Sequence, residues 1–288
     1  MLPLFTVVMS VYGGDKAEYF REAIGSIFNQ TLLPDELIIV VDGPIGTSLE
    51  EVLSSIACEP SVRILRQEVN SGLGFSRNVA IELARNDMIA VMDADDIAVP
   101  DRFAFQMPLL LSRKADVIGG FIEEFDVTLG DTRRLRTVPT THDAIAALGR
   151  WRQPFNHVTI AFWREAYRRA GGYRPIHGVE DWDMFHRMII NGVRFANIPH
   201  VFVHVRSGDS MFRRRKGLFY LRQEIHLFSR MLSSGYINPL QFTCNVVVRL
   251  ATRLLPTPVL ILVYKWGLRR RVERESGEGE DRDASAVG

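Results

Sequence analysis

Three acids stand almost together in the stretch MIAVMDADDIAVPDR, residues 88–102. Asp93, Asp95 and Asp96 close a short apolar run. Like charges this close repel, and the arrangement is costly without a cation or strong donors nearby. Asp93 and Asp95, with one residue between them on a turn, can approach one hard cation or the ligand bound to it. A small divalent ion takes one or two carboxylates plus substrate phosphates, so a metal–phosphate complex would neutralise the pair. The competing structural role is helix capping, by Asp96 or Asp101, of a helix starting near Pro100.

Two further acidic positions invite chemistry. LIIVVD, residues 37–42, also ends an apolar run on an acid, Asp42. GVEDWDMFHRM, residues 178–188, groups Glu180, Asp181 and Asp183 at a helix start, where the helix dipole alone favours acids. At helical pitch, Trp182, Phe185 and Ile189 would face the core. Between these acids lies NSGLGFSRN, residues 70–78, in which Gly72 and Gly74 permit close backbone approach to a ligand and Arg77 opens a helix. The glycines match neither the dinucleotide fingerprint nor a P-loop.

The elements that must position these groups alternate. Strands are expected at 5–11, 36–43, 62–67 and 88–93, and helices at 17–30, 48–57 and 73–85. Such alternation predicts an α/β fold, a mostly parallel sheet with helices on both faces, whose ligands bind beyond the carboxyl ends of the strands. Asp42 and Asp93 fall at that edge. The second half is expected to hold strands at 116–126 and 133–139, short strands near 193 and 201, and helices at 142–150, 164–170 and 180–191. From 216 onward the pattern is helical through 271, and the tail from 272 is polar and acidic, expected to be disordered.

The chain has 288 residues and a net charge of only +1, but the charge is unevenly spread. Residues 206–271 carry 13 Lys/Arg against 2 Asp/Glu, a basic stretch that would meet phosphates on a ligand or a membrane. Within residues 244–271 the longest uncharged run, 254–264, is far too short to span a bilayer, which takes ~20 residues. Its arginines, Tyr264 and Trp266 suit a segment lying in a membrane interface. Cys58 and Cys244 are far apart and show no metal spacing, so a reducing compartment is expected. The N-terminus lacks a basic region and a cleavage site and reads as a first strand.

Taken in order, VVMSVY, AIGSIFNQTLLPDELIIVVDG, NSGLGFSRNVAIELA, IAVMDADDIAVPDRFAFQ and GVEDWDMFHRM resemble the family 2 glycosyltransferases of GT-A fold, over roughly residues 3 to 235. The likeness is greatest to the bacterial amylovoran and capsular polysaccharide branch. The resemblance implies an inverting transferase that moves a sugar from a nucleotide-diphosphate sugar, UDP by default, to a lipid-linked oligosaccharide. It implies a GT-A catalytic domain over 1–215, a helical, basic, membrane-interface region over 216–271 and the tail over 272–288. The protein would then sit peripherally at the cytoplasmic face of the cell membrane, on an anionic surface, with no nucleic-acid partner. By the same resemblance Asp42 would contact the base or ribose, Asp93 the ribose, and Asp95 a divalent metal, Mn2+ or Mg2+, that bridges the diphosphate. Arg77 would lie near the nucleotide, and Asp181, assisted by Glu180, would be the general base. The sequence has RRRKG where the family pattern leads one to expect RRGG, so Arg213, Arg214 and Arg215 share the expected contact to the diphosphate. His157 is expected to be an ordinary core or surface histidine. A nucleotidyltransferase, or an inactive nucleotide-binding module of the same fold, are the alternatives.

Overall fold

The computed structural model describes residues 3–132, 134–207 and 217–254, with the backbone of 270–271. The first hundred residues fold as their alternation predicts: β1 (Phe5–Tyr12), α1 (Ala17–Phe28), β2 (Glu36–Asp42), α2 (Thr47–Ile56), β3 (Val62–Arg66), α3 (Leu73–Leu83) and β4 (Met88–Asp93). β1 lies between β2 and β4 and is parallel to both, and β3 lies parallel outside β2. Register pairs Tyr12 with Asp42 and Ser10 with Asp93, so the two strand-end acids emerge on one edge.

The side chains of a strand alternate between faces, and β1 divides accordingly. Phe5, Val7, Met9 and Val11 pack under α1, α2 and α4 (Arg102–Leu111). Val8, with Ile38, Val40, Ile89 and Val91, packs under α3, α6 (Arg164–Arg169) and α7 (Glu180–Ile190). Continuous apolar strands are what a sheet covered on both faces requires.

The second half is more mixed. After the two-residue β5 (Ile97–Ala98), β6 (Val117–Phe125), β7 (Arg134–Arg136), α5 (His142–Gly149) and β8 (Ala161–Trp163) precede α6, α7 and β9 (Phe195–Arg206). β8 is antiparallel to both β4 and β6 and joins the parallel half to the rest. β9 is parallel to β6 and antiparallel to β5. Two short strands near 193 and 201 prove to be one strand of 12 residues. Pro199 has no N–H to give the ladder, and the register shifts around Gly120 and Phe121 absorb it. Gly120 is required there, since a Cβ would drive into the Phe202 ring.

Two helices close the described chain, α8 (Leu218–Ser233) and α9 (Pro239–Leu254). They form a small third core with α7, from Val179, Trp182, Leu227, Phe228, Met231 and Ile237. Arg270 and Arg271 were expected to end another helix. They instead form a two-residue strand, β10, antiparallel to β7. The rest of the segment 255–269 and the tail lie outside the described residues.

The α7–α8 contact carries an acid-sensitive group. His186 is 3% exposed, bonds the Ser234 hydroxyl at 2.8 Å and lies against Tyr236. Burial pulls its pKa from 6.5 down to about 4, against the opposing pull of Asp183. In that window the unfolded chain binds the proton and the folded chain does not, so stability is lost as pH falls from 6.5 towards 4. The cost is on the order of 3 kcal/mol. His186→Gln keeps a hydrogen-bonding group and should lose less stability on acidification. Urea unfolding at neutral and acid pH checks this, and equal losses in the two proteins would acquit His186.

Candidate active site

The carboxyl edge of the sheet gathers residues far apart in sequence. Asp42 is 3% exposed at the end of β2. Its carboxylate accepts the backbone N–H groups of Ser71 at 2.7 Å and Gly72 at 3.0 Å, and its carbonyl accepts Asn70 Nδ2. Asp42 thus shapes the loop that enters α3. Gly72, at φ 91°, adopts a backbone form open chiefly to glycine.

Arg77, one turn into α3, is buried and forms an ion pair with Asp93. Burial alone would pull its guanidinium down. Asp93, Tyr173, Glu180 and Asp181 more than offset this and hold it above the usual arginine range. Its guanidinium also faces the Tyr173 ring, with the centroid at 5.8 Å. Tyr173 is fixed in turn by Asn78, which donates to its carbonyl at 2.8 Å and accepts its N–H at 2.9 Å. His157 completes the wall, its Nε2 2.7 Å from the Tyr173 hydroxyl. Burial first, then Arg77, push the His157 pKa well below its ordinary value, so this histidine is neutral.

The acidic turn after β4 is countered from three sides. Arg77 takes Asp93. Arg206, at the end of β9, gives its backbone N–H to Asp96 at 2.9 Å and its Nε to the Asp95 carbonyl at 3.1 Å. Arg206 is itself held by an ion pair to Glu22 and by the Tyr19 ring at 3.9 Å. Arg102 lies fully buried behind the turn, donating to the Val91 carbonyl at 2.8 Å and to Gln106 at 3.0 Å. Burial lowers its pKa to about 9, against Asp93. Strong donors therefore answer the repulsion foreseen in the sequence. Asp96 is not a helix cap. It is buried against Arg206, and burial, Asp95 and Asp93 push its pKa well above the usual range. Asp101 occupies the cap position of α4 but makes no side-chain cap bond, and faces His200 at 3.3 Å.

Asp93 and Asp95 are partly exposed at the turn. Among the described residues, no group of three His, Cys, Asp or Glu side chains is placed to hold a metal by itself. Two hard carboxylate groups, one committed to Arg77, fit a Mg2+- or Mn2+-type ion whose remaining ligands come from phosphate and water.

The third acidic cluster starts α7 on the opposite wall. A Cβ added to Gly74 would lie 3.9 Å from Glu180 Cγ, so α7 begins against the start of α3. Asp181 accepts Gln153 Nε2 at 2.5 Å through Oδ2, and the Trp182 N–H at 2.7 Å through Oδ1. Glu180 Oε2 is buried with no hydrogen-bond partner among the described residues, and burial followed by Asp181 pushes the Glu180 carboxyl up. Asp183 is structural. It is fully buried, paired with Arg187 at 2.8 Å and Arg230 at 3.4 Å, and ties α7 to α8. Arg213, Arg214 and Arg215 lie outside the described residues.

Gln153, Tyr173, Arg102 and Arg206 escape a reading of the sequence. Only Arg206 leaves a trace there, as a cation ending the apolar run VFVHVR.

A glycosyl transferase family 2 model matches residues 6–177, more than half the chain. The chain belongs to glycosyl transferase family 2. Its relatives in this family match nearly end to end. The amylovoran biosynthesis glycosyltransferase AmsE of Erwinia amylovora is 32% identical over 91% of this chain and 98% of its own length. The UDP-Gal:alpha-D-GlcNAc-diphosphoundecaprenol beta-1,3-galactosyltransferase of Escherichia coli is 31% identical over 93% of this chain and 98% of its own. Among solved structures, the mannosyltransferase PcManGT of Pyrobaculum calidifontis, in complex with GDP-Man and Mn2+, superposes with a TM-score of 0.62 at 18% identity. That match covers 91% of this chain and 73% of PcManGT. The fold is GT-A, and the protein is a glycosyltransferase, which sets aside the nucleotidyltransferase reading.

Gln153 offers a direct test of the α7 wall. If Asp181 is the general base, the Gln153 N–H favours its charged form, and Gln153→Leu removes that donor. The acid limb of the kcat/KM profile should then move to higher pH with little change at its plateau. An unchanged limb would mean that Asp181 does not govern the profile.

Proposed function

We propose that this glycosyltransferase takes a sugar from a nucleotide-diphosphate sugar, UDP being the favoured nucleotide, and transfers it with inversion to a hydroxyl of a lipid-linked saccharide during surface polysaccharide assembly. The observation that carries this is Arg77. One buried guanidinium pairs with Asp93 and lies within electrostatic reach of Glu180 and Asp181. It links the acid on β4 proposed to face the nucleotide to an acid pair on α7. The names of AmsE and the E. coli galactosyltransferase support the polysaccharide setting, and the latter supports a UDP donor and a lipid-linked acceptor.

In this reading the loop shaped by Asp42 receives the base and ribose, with Asp42 and Asp93 as contacts. A divalent ion held by Asp95 would supply positive charge to the departing diphosphate. Asp181 takes the proton from the acceptor hydroxyl as its oxygen bonds to the anomeric carbon. The bond from that carbon to the diphosphate oxygen breaks, and the nucleoside diphosphate leaves. Gln153 holds Asp181 in place, and Glu180 assists beside it. Arg213, Arg214 and Arg215 remain candidates for the diphosphate by resemblance alone. A lipid-linked acceptor places the reaction at a membrane surface, the cytoplasmic one in this reading, although no helix of the described residues is long and apolar enough to cross a membrane.

The test is nucleoside diphosphate release from a panel of UDP-, GDP- and dTDP-sugars, with a diphospho-lipid saccharide as acceptor. Acceptor-dependent release from a UDP-sugar is expected. No release from any donor with any such acceptor would overturn the reading.

A further inference from the structure

Helix α9 is apolar on both sides. A helix on a globular protein turns its apolar stripe to the core and its polar face to water. Here the side towards the protein packs Phe242 and Val246 on the third core and also carries Asn245 and Arg249. Asn245 is buried and donates to the Arg150 carbonyl at 2.9 Å, and Arg249 pairs with Glu224 at 3.3 Å and donates to the Trp151 carbonyl. The opposite side carries Leu240, Val247, Val248 and Leu250, which are 73%, 58%, 55% and 40% exposed. Positions 240, 243, 247, 250 and 251 follow helical spacing on one face, and none of them is charged.

What surrounds this face is specific. The loop that α9 grips presents Arg150, Trp151 and Arg152 to the surface, with Trp151 44% exposed. Arg222 is exposed on the neighbouring α8, and Leu218 and Phe219 are exposed at its start. Between 217 and 254 the only acid is Glu224, and it is consumed by Arg249. An uncharged apolar stripe, a tryptophan flanked by arginines and a local excess of cations are what an anionic bilayer surface complements. Gln153, next along the chain after Arg152, holds Asp181, so this surface adjoins the α7 wall of the cleft.

We infer that the outward face of α9, with the Arg150–Trp151–Arg152 loop, is a docking surface for an anionic lipid bilayer, oriented so that the α7 side of the cleft faces the membrane. The assignment of the face rests on its exposed apolar residues and the arginines beside it. Its use in bringing a lipid-linked acceptor to Asp181 rests on the function proposed above. Val247→Asp with Leu250→Asp places two charges on exposed positions of the full chain. The protein should co-sediment with phosphatidylcholine vesicles containing phosphatidylglycerol, weakly with phosphatidylcholine alone, and less as salt rises. The double variant should bind at least ~10-fold more weakly. Arg150→Gln with Arg152→Gln should remove most of the salt dependence. As a second measurement, brominated lipid should quench tryptophan fluorescence, and Trp151→Phe should lose part of that quenching with the fold intact. Thermal shift by UDP and Mn2+ should be the same in the parent and in the double variant, so a failure of the surface is read apart from a failure of the transferase reading. The inference is overturned if the full chain ignores anionic vesicles, or if the double variant binds them like the parent. It is also overturned if the face mediates a dimer that Val247→Asp dissociates while vesicles are not bound.

Discussion

Asp181→Asn is expected to lower kcat by at least ~10² and to leave nucleotide binding unchanged. Removing a general base typically costs ~10²–10⁴-fold. The side chain is placed to make this a clean experiment. Asp181 accepts Gln153 and its neighbour's N–H. An asparagine can keep one of those acceptances but cannot take a proton. Asp42, Arg77 and Asp93, the residues proposed to meet the nucleotide, take their hydrogen bonds and ion pair from partners other than Asp181, so nucleotide binding should change little. A single-turnover assay with saturating donor isolates the chemical step, and nucleotide titration by thermal shift reports binding. Normal turnover would make Asp181 a helix-start acid only, and Glu180 the next candidate. Loss of nucleotide binding or of folding would make the carboxylate structural.

Asp95→Asn should fail differently, damaging turnover and nucleotide affinity together. The turn that bears Asp95 is held by Arg206 through its backbone carbonyl, so the turn should survive the loss of the carboxylate charge. What should disappear is the metal dependence of binding. In the parent, UDP with Mn2+ at a hundredfold excess over Kd would stabilise the fold by about 2.7 kcal/mol, and EDTA should remove most of that. In Asp95→Asn the shift should be small and insensitive to EDTA. A parent enzyme fully active in EDTA, or a variant with intact metal dependence, would remove Asp95 from the metal assignment.

Much of this protein is legible without its coordinates, and the reason is locality. β1 to β4 and the helices between them are each fixed by short-range apolar spacing, and their ends fall within a few residues of expectation. The acids at strand ends are legible for the same reason, because the parallel sheet dictates the edge on which they emerge. What escapes is whatever depends on a distant partner. β5 has two residues and β8 three, and they are strands only because β9, β4 and β6 lie beside them. β9 reads as two pieces because Pro199 interrupts its pattern, while the compensating irregularity sits on β6. The acidic turn showed that cations were needed but not that Arg77, Arg102 and Arg206 supply them, the last from more than a hundred residues away. Asp96 resembled a cap by position and proved to be a buried acceptor for β9. Helix α9 shows apolar residues at helical spacing, and only its packing reveals that Phe242 and Val246 turn inward while Leu240, Val247 and Leu250 stay exposed.

The antiparallel strand between β4 and β6 has a consequence for the birth of the protein. β1, β2 and β3 are already neighbours of one another or of β4 when residue 93 has left the ribosome. The other edge of β4 has no partner until residues 161–163 arrive, about seventy residues later. At ~5–20 residues per second, an open apolar edge reading MIAVMD waits for several seconds. Such an edge is a template for pairing with another nascent chain. Synthesis of this enzyme therefore has a vulnerable interval set by topology. Chaperone demand, and inclusion-body formation on overexpression, should be governed by how fast the ribosome crosses residues 94 to 163, and slowing translation there should lower the soluble yield.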